Sequence, residues 1–303
     1  MTQAKDQALG IQLMALGVIV LPAMDAAAKV MGDSIAAATI VLARFGFQSL
    51  FLLPFVWREL YLPRGEELRL HLWRALSICG STLCFFAAIQ VMPQVDALAI
   101  FFTMPLLVTL LAPWMLGEKI GWRRLSAVGV GMIGALIIIQ PGRSPFGSIA
   151  ILPLIAALGF AFYLLFTRKL ARSNSTHQGV SVFTMQFYSG VFGSLMILLI
   201  ILVMQPFHLP AFDMQWPELW QWRQLALVGI LATIGHVLVT KAFQYADASL
   251  LAGFQYTELI SAAILGWWIF GDVPSLNTWI GSAILVGSGL YIFHRERQAA
   301  AQH

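Results

Sequence analysis

The chain repeats itself, and the repeat is built from stretches long enough to cross a membrane. Trp73, Arg74, Leu76 and Gly80 return as Trp222, Arg223, Leu225 and Gly229, 149 positions on. Ala88-Ile89-Gln90 returns as Ala242-Phe243-Gln244, and Gly117-Glu118 as Gly271-Asp272, both 154 positions on. A bilayer core about 30 Å thick needs roughly 20 apolar residues per helix. Five such stretches lie in the first half, near 9–30, 36–57, 72–91, 95–116 and 125–141. Five more lie near 148–168, 180–204, 223–243, 248–270 and 277–294. An odd number of crossings makes the second half enter the bilayer in the opposite sense. The expectation is an all-α integral membrane protein whose ten transmembrane helices form two inverted five-helix repeats, at 1–143 and 144–303. In such a frame one repeat can rock against the other around a central site.

With 59% hydrophobic and 11% charged residues, a soluble domain of this size could not keep its apolar surface dry. The first apolar stretch, Ile11 to Val30, outruns a signal-peptide core and has no small-residue cleavage site, so it reads as the first membrane helix. With the N-terminus cytoplasmic, the inner segments carry fourteen Lys and Arg, among them Arg58, Arg74, Arg124 and Arg168. The outer segments carry Lys29, Arg143 and Arg223. That bias predicts both termini on the cytoplasmic side. The net charge of +4 therefore reports topology and gives no ground for nucleic-acid binding. Cys79 and Cys84 lie five apart on one helix, point to different faces and read as packing residues.

Ionisable residues at membrane depth are costly and mark pathways or pairs. Asp25, Lys29, Arg44, Lys241 and Glu258 fall inside the apolar stretches. Glu258 sits near the midplane of the ninth span, with Gln255 and Ser261 on its face and Tyr256 beside it. It is either a ligand for a substrate amine or a proton carrier, or else a structural acid bonded to a neighbouring helix. Asp25 and Lys29 have the i,i+4 spacing of a local ion pair, and a functional role is the alternative. Arg44 either pairs with Asp25 or Glu258 or holds a substrate carboxylate. Lys241 lies where it can snorkel to the inner interface. His236, alone on the eighth span, reads first as hydrogen-bonded structure. Tyr163, Gln186, Tyr188 and Tyr256 are candidate cavity hydrogen-bonding groups. Trp267 and Trp268 read as an interfacial belt.

Gly129, Gly131 and Gly134 on the fifth span, and Gly281, Gly287 and Gly289 on the tenth, predict close helix packing. A homo-oligomer contact there is the alternative. Pro22, Pro54, Pro105 and Pro153 mark bends. No phosphate-binding loop, nucleophile elbow or zinc-protease pair is present. Neither an enzyme nor a cofactor or metal site is expected.

The ten-span pattern, with Leu116-Gly117-Glu118 in one half and Phe270-Gly271-Asp272-Val273-Pro274 in the other, resembles the drug/metabolite transporter superfamily and its EamA family. Met24-Asp25-x-x-x-Lys29, Arg44-Phe45, Tyr256-Thr257-Glu258 and Tyr291-x-x-x-Arg295-Glu296-Arg297 resemble one bacterial branch. The resemblance implies a gradient-driven carrier in the bacterial inner membrane, possessing a cavity formed by spans one to four and six to nine. It implies packing roles for spans five and ten, and conformational roles for Glu118 and Asp272. Many EamA proteins carry Pro in the ninth span where this chain has Thr257-Glu258, so a charge replaces a kink there. Two acids, one central Arg and scattered aromatics suit a zwitterionic or cationic metabolite such as an amino acid or its derivative, with export the family habit. Uptake of S-adenosylmethionine or riboflavin, export of an opine-type metallophore, and a membrane scaffold are the other readings.

Overall fold

The computed structural model describes residues 2–32, 34–58, 60–117, 120–143, 145–173, 181–214, 216–246 and 248–300. Glu118 and Lys119 lie outside them. The helices are α1 (Thr2–Lys29), α2 (Ala37–Val56), α3 (Gly65–Ile89), α4 (Gln94–Phe101), α5 (Met104–Leu116), α6 (Trp122–Ile139), α7 (Leu152–Ser173), α8 (Val182–Met204), α9 (Leu219–Tyr245), α10 (Ala248–Gln255), α11 (Glu258–Leu265) and α12 (Leu276–Ala300). No strand occurs among the described residues. Helices α4 and α5 make up the fourth span, and α10 and α11 the ninth, so the twelve helices form ten crossings.

Packing follows the repeat. Helix α1 lies along α9, and α3 along α7; these pairs exchange when the halves are exchanged. Helix α2 lies along α8 and α6 along α12, each joining equivalent spans of the two halves, while α4 meets α11 at the centre. The α6–α12 seam depends on glycine: a Cβ on Gly134 would sit 2.8 Å from the Gly281 carbonyl oxygen, and one on Gly281 2.5 Å from that of Gly134. Backbones this close fit the packing role expected of these spans. Trp267 and Trp268 are 64% and 76% exposed, as a lipid-interface belt requires.

The Gly-acid step has the same backbone use in both halves. Gly117 and Gly271 each end a span with φ of 71°, a left-handed conformation that glycine adopts without steric cost.

The fourth and ninth spans break at matching positions. Thr103 (φ −65°, ψ −15°) precedes α5, and Thr257 (φ −67°, ψ −13°) precedes α11. In the fourth span Pro105 has no N–H for the Phe101 carbonyl. In the ninth the Thr257 N–H and Oγ1 both bond the Phe254 carbonyl, at 3.0 and 2.5 Å, a side-chain competition that interrupts the helical ladder. The exchange of a kink for a charge expected of this span is thus half right: the charge is there, and so is the break. Across the centre Phe102 and Tyr256, equivalent residues, face each other with ring centroids 5.1 Å apart.

Candidate functional site

A cavity of about 610 Å³ runs into the bundle between the two broken spans. Its deep end is lined by Asp25, Arg44, His236, Gln255 and Glu258, and its mouth by Arg124, Arg168 and Phe293. Phe85, Phe101, Phe102 and Phe160 form an aromatic side, with Phe101 edge-on to both Phe85 and Phe160.

Three sequence candidates converge although their helices are far apart in the chain. Arg44 on α2 is 2% exposed. Its Nη2 donates to His236 Nε2 at 3.0 Å, so the imidazole proton must sit on Nδ1. Arg44 Nε and Nη1 have no protein partner among the described residues. Asp25 on α1 and Glu258 at the start of α11 are buried within electrostatic reach of each other, and Asp25 also of Arg44. Neither carboxylate is within ion-pair distance of Arg44; the ion pairs among the described residues are elsewhere. Of the alternatives for Arg44, the carboxylate pairs are therefore absent in this conformation, and the residue lines the cavity with two buried nitrogens unpartnered.

The local Asp25–Lys29 pair is not formed either. Lys29 Nζ lies 2.5 Å from Asp272 Oδ2, donates to the Met92 carbonyl at 3.2 Å and stands 4.7 Å from the Phe270 ring centroid. Helical spacing brings Asp25 and Lys29 to one side of α1, but Asp25 turns to the cavity while Lys29 ties the end of α1 to the step after the ninth span. Asp96 accepts from Thr278 Oγ1 at 2.8 Å close by. These contacts close the bundle at the end opposite the cavity mouth.

Gln186 and Tyr163 also line the cavity. Gln48 donates to the Gln186 carbonyl at 2.9 Å, and Gln186 Nε2 to Thr240 Oγ1 at 3.3 Å, which holds α2, α8 and α9 together. Tyr256 points away: its ring packs on Phe102 and its hydroxyl reaches the Gly289 backbone on α12, where a Cβ would find no room. Tyr188 bonds the Tyr61 backbone rather than the cavity. Lys241 lies 4.7 Å from the Phe183 ring centroid, a cation–π contact rather than a site contact.

One functional candidate is missing from the sequence reading. Arg74, at the inner end of the expected span 72–91, counts there only among the inner-segment charges that set topology. Helix α3 begins at Gly65, two turns before the expected start, and carries Arg74 into the membrane, where it is 1% exposed and lines the cavity. The polar run Glu66, Glu67 and Arg69 hides that extension from a hydropathy reading. The hydrophobic Leu68, Leu70 and Leu72 among and just after those charges were the available signal.

Two inverted, pseudo-symmetric halves around a largely apolar cavity, with ionisable groups gathered at one end of it, have the construction of many secondary transporters. The comparisons agree. The EamA-like transporter family is matched over residues 8–140 and 147–293, and the chain belongs to that family. It is 26% identical over 302 residues to the S-adenosylmethionine uptake transporter of Rickettsia bellii, with 98% of each chain covered. It is 29% identical to the riboflavin transporter of Vibrio cholerae over 84% of this chain and 82% of that one. The pseudopaline exporter of Pseudomonas aeruginosa is 26% identical over 91% and 93%. A solved crystal structure covers 95% of this chain and 98% of its own with a TM-score of 0.62 at 16% identity, a likeness of fold. The protein is a multi-pass membrane transporter of small molecules.

Proposed function

We propose that the protein moves a zwitterionic or cationic metabolite, an amino-acid derivative, across the bacterial inner membrane by alternating access. The observation that carries this reading is the deep end of the cavity: Arg44 with two unpartnered nitrogens beside two buried carboxylates, Asp25 and Glu258, that lack a cation partner among the described residues. Such a set is complementary to a carboxylate and an amine in one molecule. Buried ionisable groups left open in a membrane protein are binding or coupling groups by default. Pockets of about 300–1,000 Å³ take drug-sized ligands, so a cavity of about 610 Å³ favours a derivative over a free amino acid.

Glu258 and Asp25 are also the groups proposed to exchange a proton for the substrate amine, which would couple flux to the proton gradient. Arg124 and Arg168 at the mouth, with the Arg and Lys bias of the inner segments, support a cytoplasmic opening and cytoplasmic termini. The relatives named above include both an uptake and an export protein. Export, favoured by the family habit, is therefore a direction for the assay to read.

The test is untargeted metabolite analysis of cytoplasm and medium from cells producing the protein or Glu258→Gln at equal membrane levels. A compound that appears in the medium only with the intact protein establishes export and names the substrate. Depletion from the medium with cytoplasmic gain establishes uptake. S-adenosylmethionine, riboflavin and opine-type metallophores belong in the panel. Identical profiles for the two proteins would overturn the role of Glu258.

A further inference from the structure

Arg74 presents a second guanidinium to the same cavity, and its surroundings differ from those of Arg44. Its Nε donates to Thr167 Oγ1 at 2.9 Å, its Nη1 meets His71 Nδ1 at 3.3 Å, and its Nη2 reaches Tyr163 Oη at 3.4 Å and Ser189 Oγ at 3.5 Å. Every one of these partners is a hydroxyl or an imidazole. The hydrogen-bonding needs of the group are largely met, but its charge is not. One acid, Glu67, stands beyond the His71 ring, its Oε1 4.0 Å from His71 Nε2, so the imidazole separates it from the guanidinium. A helix bundle that needed only a polar knot between α3, α7 and α8 could use a neutral amide. A buried, permanently charged group without an adjacent anion carries a desolvation cost that neutral hydrogen-bond partners and an aromatic face offset only in part.

Tyr163 links the two arginines. Its hydroxyl accepts from Arg74, its ring centroid lies 5.1 Å from the Arg74 guanidinium carbon, and it is within electrostatic reach of Arg44. The cavity therefore has a cationic side, Arg44 and Arg74 with Tyr163 between them, and an acidic side, Asp25 and Glu258. A simple amino-acid head satisfies Arg44 and one acid and leaves Arg74 without an anion.

We propose that the substrate carries a second oxyanion, a carboxylate or a phosphate, that docks on Arg74 while its zwitterionic head occupies the Arg44–Glu258 end. This rests on the carrier reading above and narrows it to metabolites with two separated oxyanions. It also adds a second arginine to the one central Arg on which the sequence expectation of a zwitterionic or cationic metabolite was built.

The test is binding to the purified full-length protein in lipid nanodiscs, read by thermal shift at constant ionic strength. The probes are aliphatic dicarboxylates from succinate to pimelate, each against the monocarboxylate of equal length, and O-phosphoserine against serine. The two-headed probe of best length is expected to bind at least about tenfold more tightly than its single-headed partner. Arg74→Gln should remove that advantage, read as the ratio of two-headed to single-headed affinity in the same variant. Arg74→Lys should keep part of it, which guards against a variant that merely misfolds. A dicarboxylate preference assigns the subsite to carboxylate, and an O-phosphoserine preference to phosphate. No advantage for any two-headed probe in the wild type, or an advantage that survives Arg74→Gln, overturns the proposal. Glu258→Gln should lose metabolite flux yet keep the two-headed advantage, so failure of the carrier reading and failure of this one are separable.

Discussion

The fourth and ninth spans are the same structure built from different residues. Each crosses half the bilayer as a helix, breaks at a threonine with nearly identical backbone angles, and resumes. At the first position after the break the fourth span has Met104 and the ninth has Glu258; at the second, Pro105 and Leu259. The first break is apolar and proline-bound. The second is acidic and held by Thr257. Arg74 and Arg223 show the same divergence, since the repeat makes them equivalent but one is buried in the cavity and the other is exposed. The twofold pattern thus supplies the frame that can rock, and the chemistry comes from breaking that pattern at equivalent positions.

Making the two breaks alike should have the largest effect. Glu258→Met gives the ninth span the residue of the fourth. Hydrogen bonds to charged groups are worth about 1.5–3 kcal/mol, which puts the expected fall in flux at about ten- to hundredfold. Stability should hold or rise, because the substitution removes a buried carboxylate with no protein cation. Measuring flux and melting temperature on the same preparation separates the two. A variant that unfolds would make Glu258 a structural acid. The reverse change, Met104→Glu, should lower stability and add no flux.

A second asymmetry lies between the ends of the bundle. One end is open in this conformation and the other is tied by Lys29 and Asp272, whose side chains are 13% and 23% exposed. Lys29→Ala or Asp272→Asn should lower flux by several-fold up to about tenfold, the range between an exposed pair at 0–1 kcal/mol and a buried one that is left half-broken. The exchange Lys29→Asp with Asp272→Lys should recover most of it. Recovery by exchange would show that the pair acts through its charge. If neither single variant changes flux, closure at this end rests on the Asp96–Thr278 contact and apolar packing.

The ten crossings, the inversion and the packing role of Gly131, Gly134, Gly281 and Gly289 were legible, because those features follow from length and residue size, whereas Gly129 and Gly287 face open space and pack nothing. Arg44 and Glu258 were legible as charges that their own helices could not explain, and Asp25 as a charge at depth with a possible local partner in Lys29. Their meeting was offered only as alternative pairings for Arg44, and the actual geometry, near one another without an ion pair, depends on how α1, α2 and α11 cross. The local Asp25–Lys29 pair, one of the two readings open for these residues, does not form because i,i+4 spacing describes an isolated helix and Lys29 contacts Asp272 instead. Arg74 was read only as a topology charge because charges within a helix lower the hydropathy that marks its start. The break in the ninth span escaped notice because no proline announces it. Only the hydrogen bonds of Thr257 do.

That last point leads to the smallest expected effect, and to the most direct question about the repeat. Pro105→Leu gives the fourth span the residue that the ninth has at the matching place. Proline inside a helix costs about 3 kcal/mol because it removes a hydrogen bond and clashes with the carbonyl four residues back. If Pro105 alone makes the break, its replacement would restore the bond to the Phe101 carbonyl, α4 and α5 would run straight, and the cavity side formed by Met104 and Thr109 would turn. Flux would then fall as far as it does for Glu258→Met. The ninth span argues otherwise, since it breaks without proline where Tyr256 packs on Phe102 and α11 meets α4. Thr103 has the side chain that Thr257 uses, and its Oγ1 has no partner in the wild type. We therefore expect Pro105→Leu to change flux less than about threefold and stability by about 1 kcal/mol, with Thr103 taking up the bond that Thr257 makes. Adding Thr103→Val to Pro105→Leu should then produce the loss that neither change gives alone.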